Sequence, residues 1–229
     1  MRYLVCLGFA LLAFSASVRA EIVLSQPLSY IDGRASSVSG GVGFVTHDRI
    51  TLDQSYEVNR ISWVGAFIDL APGGANPVDP LATSWTFEVA QDGGGSPGAV
   101  TDSAVVAAAG VTALYLADVS LAGYPVRVYE FSVTLADPLL MLGGSPLWLA
   151  IIANTPAVDP RFAWFSGSSG DGVSQQQQLG GSVVGQYTDR ALTLEGRALP
   201  EPAGLAWAAL AIALALSRRR SAQSRPSRG

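Results

Sequence analysis

Short runs in which apolar and polar residues alternate are the feature that most constrains this chain. Residues 85–89 read Trp-Thr-Phe-Glu-Val, and residues 129–135 read Tyr-Glu-Phe-Ser-Val-Thr-Leu. A period of two places the apolar side chains on one face of a β-strand. Between residues 21 and 199 no stretch of ten or more residues has convincing helical periodicity. The pattern therefore predicts an all-β domain.

Two further runs, residues 61–69 and 147–152, are apolar at consecutive positions and predict strands that are buried on both faces. Weaker strand patterns occupy seven segments: 22–25, 43–46, 104–108, 113–116, 162–165, 183–187 and 191–195. Glycine, proline and serine separate the runs, most densely at 71–74, 92–98, 143–146 and 167–172. Many short strands with such turns predict a β-sandwich of the jelly-roll type. The polar run Gln175 to Gln178 is predicted to lie in a loop.

Composition excludes several kinds of chemistry. Cys6 is the only cysteine, His47 is the only histidine, and every basic residue is arginine. Histidine-based metal sites and lysine-dependent catalysis are excluded for want of residues. Seven arginines and seventeen acids give residues 21–199 a net charge of about −10. Such a surface repels nucleic acid and anionic lipid, so no nucleic-acid partner is expected.

Residues 1–20 have the features of a secretory signal peptide. Arg2 precedes an apolar core, and Val18-Arg19-Ala20 supplies a cleavage site before Glu21. Cys6 would be removed with this segment. The mature chain would then contain no cysteine, and its fold would have to be stabilised by its core without disulfides.

The C-terminal 32 residues, 198–229, combine three features in order. A motif, Pro200-Glu201-Pro202, precedes the uncharged segment 203–217, and the basic end 218–229 begins with Arg218, Arg219 and Arg220. A helix of about fifteen residues spans roughly 22 Å, which is short for a bilayer core of about 30 Å. The positive-inside rule predicts that the arginines remain in the cytoplasm. The two prolines disfavour helix before Ala203, so Glu201 is expected in an extended, reachable segment.

This order of motif, short apolar segment and arginine cluster resembles the PEP-CTERM sorting signal of exported proteins in Gram-negative bacteria. The resemblance implies that an exosortase-like membrane enzyme recognises Pro200-Glu201-Pro202 and removes the tail. It also implies an intermediate anchored in the inner membrane by the segment 203–217, followed by transfer to the cell surface or the extracellular matrix. The alternative is an ordinary C-terminal membrane anchor with a proline-rich stalk. On this interpretation residues 21–197 form the exported domain.

Three functional hypotheses follow for the exported domain. The first is a non-enzymatic structural or interaction protein of the extracellular matrix. The second is a carbohydrate-binding module of the exopolysaccharide matrix, for which Trp164, beside a glycine-rich loop, is the candidate sugar platform. The third is a glycoside-active enzyme, which needs two facing carboxylates.

No cofactor is implied by the sequence, although a structural calcium ion has candidate ligands in Asp69, Asp79 and Asp92, because these acids accompany predicted turns. His47-Asp48 follows a strand pattern and is expected in a solvated turn.

Overall fold

The computed structural model describes residues 20–200, apart from residues 72, 74, 75, 122 and 187. Several predicted features lie outside the described residues: the signal peptide up to residue 19, Glu201 and Pro202 of the predicted motif, the predicted membrane segment 203–217 and the basic end 218–229. In the part of the chain that the structure describes, no helix is long and apolar enough to span a membrane. Apart from those gaps, the described residues include the predicted exported domain, residues 21–197.

These residues form an all-β fold of two seven-stranded sheets, as the alternating runs predict. A single short 3₁₀ turn, Ala108–Gly110, is the helical element of the described chain. The strands, in chain order, are β1 (Glu21–Gln26), β2 (Leu28–Ala35), β3 (Ser37–Ser39), β4 (Val42–Thr51), β5 (Tyr56–Ile68), β6 (Ser84–Asp92), β7 (Pro97–Ala107), β8 (Thr112–Leu121), β9 (Tyr124–Met141), β10 (Pro146–Asn154), β11 (Arg161–Gly167), β12 (Ser174–Gln178), β13 (Val183–Gln186) and β14 (Leu192–Ala198).

Sheet I is built around the long strand β5. On one side β5 pairs with β9, which pairs with β8. On the other side β14 and then β1 lie along the first part of β5, while β11 and then β2 lie along its end. Sheet II has the order β13-β12-β4-β10-β6-β7, with the short β3 between the ends of β4 and β10. The first and last strands of the domain thus lie side by side in sheet I.

Aromatic side chains from both sheets meet in one core. Trp63 of β5 contacts Trp85 of β6 with ring centroids 4.9 Å apart, and Trp85 contacts Phe162 of β11 at 4.8 Å, both edge to face. Trp63 also stacks on Phe131 of β9 at 5.6 Å. Edge-to-face and offset packing are the favourable arrangements for such rings. Because the rings come from strands of different sheets, the two sheets pack face to face.

The strongest sequence patterns are confirmed. In β6 the apolar residues Trp85, Phe87 and Val89 are buried and face this core, and the same alternation holds along residues 129–135 of β9. Residues 147–152 of β10 are buried at every position, as predicted. In β5 the prediction of burial on both faces is wrong for residues 61–64, where burial alternates, and holds from residue 65 to residue 68. There a second apolar cluster lies on the outer face of sheet I; it comprises Ala66, Ile68, Val126, Val128, Ala163 and Phe165.

The predictions of a loop at residues 175–178 and of a turn at residues 47–48 are wrong. Residues Gln175 to Gln178 do not form a loop but lie in β12, whose main chain pairs with both β4 and β13. His47 and Asp48 do not form a solvated turn but lie within β4, where they are 8% and 0% exposed. In both cases main-chain pairing with strands that are distant in sequence overrides the local polarity of the residues. Strands β2 and β3 were not predicted either.

Candidate functional site

A shallow site lies on the hairpin of β8 and β9. It is lined by Tyr115, Asp118, Arg127 and Tyr129 and has a volume of about 340 Å³. Tyr115 lies opposite Tyr129 in the strand pairing, and their rings contact edge to face with centroids 6.0 Å apart. Tyr115 is 51% exposed, whereas Tyr129 is 8% exposed and belongs to the core. We call this set of four residues, together with Asp79, the tyrosine site.

A β-bulge brings the residues of the tyrosine site to one face of the hairpin. Tyr115 pairs with Tyr129 and Asp118 pairs with Arg127, with a register shift between Tyr115 and Ala117. Asp118 is three positions after Tyr115, so in a regular strand their side chains would point to opposite faces. The extra residue restores them to the same face, and redirecting a side chain is a recurrent use of bulges near functional sites.

Asp79 connects the polar groups of the tyrosine site. Its Oδ1 accepts hydrogen bonds from Nη1 of Arg127 at 2.7 Å and from the Tyr129 hydroxyl at 2.8 Å. These two hydrogen bonds, the one from Arg127 first, lower the pKa of Asp79 below its ordinary value. On its other side Arg127 Nε lies 3.8 Å from Oδ1 of Asp118. The guanidinium is therefore held between two carboxylates.

A second cluster of polar side chains is buried between the sheets. It comprises Arg190, Asp48 and Asp189, and we call it the internal brace. The Arg190 side chain is fully buried, and its Nη2 donates to Ser174 Oγ at 3.1 Å, while its backbone N–H donates to Asp48 Oδ1 at 3.0 Å. Burial and the nearby Asp189 raise the pKa of Asp48 well above its ordinary value. Asp189 in turn accepts hydrogen bonds from the amides of Gly170 and Gly172.

This brace connects the loop 168–173 to both sheets. Its members Arg190, Asp48 and Asp189 are at most 5% exposed. A ligand in solution cannot reach them without opening the sandwich. We therefore assign the brace to stability and not to binding.

The turn between β6 and β7, residues 93–96, and Asp92 at its start lie beside Trp148 on the outer face of sheet II. Trp148 faces outward between Leu147 and Leu149, which face the core, yet it is fully buried. Its Nε1 donates to Oδ1 of Asp92 at 2.8 Å, and Gln175 Nε2 donates to the carbonyl of Gly95 at 2.7 Å. The hydrogen bond from Trp148, followed by that from Gly95 N–H, lowers the pKa of Asp92.

The three calcium candidates have separate protein partners. Asp79 pairs with Arg127, Asp92 binds Trp148, and Asp69 Oδ1 accepts a hydrogen bond from the amide of Ala71 at 3.0 Å. Among the described residues, no group of three or more His, Cys, Asp or Glu side chains could hold a metal ion. Calcium binding at these acids stays a prediction, and the geometry of the three carboxylates adds no support to it.

The prediction that Trp164 presents an exposed ring is wrong. Its side chain is 0% exposed, and Nε1 donates to the carbonyl of Ala191 at 3.0 Å. Trp63, Trp85 and Trp148 are buried as well. A tryptophan platform for sugar is thus not available in the described chain. Exposed aromatic rings beside polar groups are provided by tyrosines, among them Tyr115.

The first residue of the predicted motif, Pro200, lies at the edge of the described chain. Pro200 is exposed and follows Leu199, whose amide donates to the carbonyl of Ser55 at 2.8 Å. Glu201, Pro202 and the arginines Arg218, Arg219 and Arg220 lie outside the described residues.

Comparisons with known proteins assign no family to this chain. No family model matches the sequence, and neither a curated protein nor a solved structure is significantly similar to it.

Proposed function

We propose that this chain is an exported, non-enzymatic structural or interaction protein of the cell surface or extracellular matrix. Its PEP-CTERM-like tail anchors an intermediate in the inner membrane until an exosortase-like enzyme cuts near Pro200-Glu201-Pro202. The main support is the order of motif, short apolar segment and arginine cluster at the end of a chain that begins with a signal-like segment.

The position at which the fold ends is the structural observation that supports this proposal best. Strand β14 lies between β1 and β5 and ends at Ala198, two residues before Pro200. The last main-chain hydrogen bond of the described chain joins Leu199 to Ser55. A cut near Pro202 would therefore leave every described strand in place and release a complete domain.

We further infer that the sandwich is a jelly roll. Eight strands form its frame, namely β1, β4, β5, β6, β7, β9, β10 and β14. Numbered one to eight in chain order, they pair in the order 1-8-3-6 in sheet I and 2-7-4-5 in sheet II. This arrangement of two interlocked Greek keys defines a jelly roll. Strands β2, β3, β8, β11, β12 and β13 extend the frame.

An interaction role is supported by the edge strand β8. Residues 112–118 of β8 are all exposed, and they include Leu114 at 58% and Leu116 at 43%. In the described chain β8 pairs with β9 alone, so its second edge has main-chain groups that no described strand pairs with. Exposed apolar side chains on an unpaired edge are typical of surfaces that bind other molecules.

Replacement of the motif tests the sorting proposal. With Pro200, Glu201 and Pro202 all changed to alanine, we expect the protein to accumulate in the inner-membrane fraction of its native cells. A matched control changes Ser221, Gln223 and Ser224, which lie beyond the arginine cluster, to alanine and should be distributed like the wild type. The proposal would be contradicted if the motif variant and the wild type were found in the same proportions in the membrane and extracellular fractions.

A further inference from the structure

We propose that the tyrosine site binds one pyranose ring of a neutral polysaccharide. The inference names the partner of the proposed interaction protein, and it depends on the proposed function only for the source of the polysaccharide. It rests on four properties of the site: an exposed and oriented ring, a fixed polar network, the bulge and the local charge.

Tyr115 provides an apolar surface of defined orientation. Half of its side chain is exposed, and its edge-to-face contact with the buried Tyr129 fixes the ring against the hairpin. A pyranose ring has a face of C–H groups that packs on an aromatic ring, as other apolar groups do. A tyrosine that is already oriented loses little conformational entropy when such a ligand binds.

Hydrogen-bonding groups surround this ring. Arg127 has five N–H donors, and its recorded contacts to acids use Nη1 and Nε. The side chain of Asp118 is 62% exposed and offers acceptor oxygens beside it. Sugar hydroxyls both donate and accept, so adjacent donors and acceptors at fixed positions suit them. Because Asp79 already holds the guanidinium, the donors are preorganised.

The bulge is an independent observation that points to the same face. In an unbulged β8, Asp118 would point away from Tyr115 and Arg127 would lose its second acid neighbour. The register shift costs main-chain pairing at the edge of the sheet. The shift places a ring, a cation and an acceptor together in one shallow site. The volume of this site, about 340 Å³, is at the small end of the range for ligand sites. That size fits a single sugar ring better than an extended chain.

The charge of the site favours a neutral sugar and binding without cleavage. Two carboxylates and one guanidinium give it a net negative charge, which repels uronic acids and sulfated sugars. Arg127 and Tyr129 lower the pKa of Asp79, whereas an acid catalyst of glycoside hydrolysis needs a raised one. The arrangement therefore resembles a binding surface and not a hydrolytic centre.

Affinity gel electrophoresis tests the proposal. The full-length chain, purified in a polyoxyethylene detergent that has no sugar headgroup, is run through native gels containing hydroxyethylcellulose, galactomannan or dextran. Gels with polygalacturonate provide the anionic comparison. We expect retardation by at least one neutral polysaccharide and none by polygalacturonate.

Variants identify the residues responsible. Loss of the ring in Tyr115→Ala should weaken binding roughly tenfold, as expected for one aromatic contact with its buried area. Tyr115→Phe keeps the ring and should bind nearly as the wild type, while Arg127→Gln should again be weakened. The matched control is Tyr124→Ala, since Tyr124 is 42% exposed on the same hairpin but does not line the site.

Three results would overturn the inference: no retardation in any neutral gel, retardation by polygalacturonate as strong as that by the neutral polysaccharides, or equal retardation of wild type and Tyr115→Ala. The outcome is separable from the sorting proposal, because the purified chain is tested without its cells. If the chain binds sugar but is not sorted, the sugar-binding inference stands and the sorting proposal fails. A chain that is sorted but binds no sugar leaves the sorting proposal intact.

Discussion

His47 should make the domain sensitive to mild acid. It lies on the outer face of sheet II, opposite Ala150 on one side and Gln175 on the other, and is 8% exposed. Its Nδ1 atom is buried, and no hydrogen-bond partner for it lies in the described chain. Burial lowers the pKa of His47 from 6.5 to about 4, because a charged imidazole would lose its hydration there.

The sign of the effect follows from proton linkage. Between pH 4 and 6.5 the unfolded chain binds a proton at His47 that the folded chain does not bind. The free energy of unfolding therefore falls as the pH falls through this window. A pKa difference of about 2.5, at about 1.36 kcal/mol for each pKa unit, corresponds to about 3 kcal/mol at pH 4. About 2 kcal/mol of this is already lost at pH 5.

The assay compares wild type with His47→Gln, which cannot titrate, by urea unfolding of residues 21–200 at pH 7.5 and pH 5. Fluorescence of the buried tryptophans reports unfolding. We expect the wild type to lose about 2 kcal/mol more than the variant between the two pH values. Asp48 and Glu88 have raised pKa values and act in the opposite direction, but they are common to both proteins. Equal loss of stability in the two proteins would refute the reasoning.

Three further predictions concern the core and the internal brace. Asp48→Asn should lose the contribution by which Asp48 lowers the melting temperature as the pH rises above about 4, because the folded chain holds a proton at Asp48 that the unfolded chain loses. The melting temperature of the variant should therefore rise more, or fall less, with pH than that of the wild type, and identical pH profiles would contradict this. Gly170→Ala should cost about 1–3 kcal/mol in urea unfolding, since its Cβ would lie 2.3 Å from Gln26 Nε2. Gly185→Ala, with nothing within 4 Å, is its control, and equal stability of the two variants would count against the packing argument. Trp63→Ala should cost about 3–5 kcal/mol by calorimetry, and a loss below about 1 kcal/mol would mean that the aromatic core is not tightly packed.

The fold class could be predicted because the signal is local. Alternation in β6 and continuous apolarity in β10 follow directly from which faces of these strands are buried. In β12 the glutamines carry no such signal, since the pairing of that strand depends on β4 and β13. Asp48 could not be recognised as buried either, because Arg190, which is 142 positions away, supplies its main-chain hydrogen bond.

Only part of the tyrosine site could be predicted from the sequence. Counting outward from Gly123, at the tip of the hairpin, would have paired Asp118 with Arg127. The bulge that moves Tyr115 opposite Tyr129 has no marker in the sequence. The role of Asp79 depends on the connection between β5 and β6, where Val78 forms an isolated bridge with Phe67. Such non-local contacts are not contained in a strand pattern.

The intact mass of the protein from its native cells, measured separately for membrane and extracellular fractions, tests the central proposal most directly. The account predicts an extracellular species that begins at Glu21 and ends close to Pro202. A protein that retains residues 218–229 and is found in the inner membrane alone would contradict it, and would leave an exported domain with an ordinary C-terminal anchor.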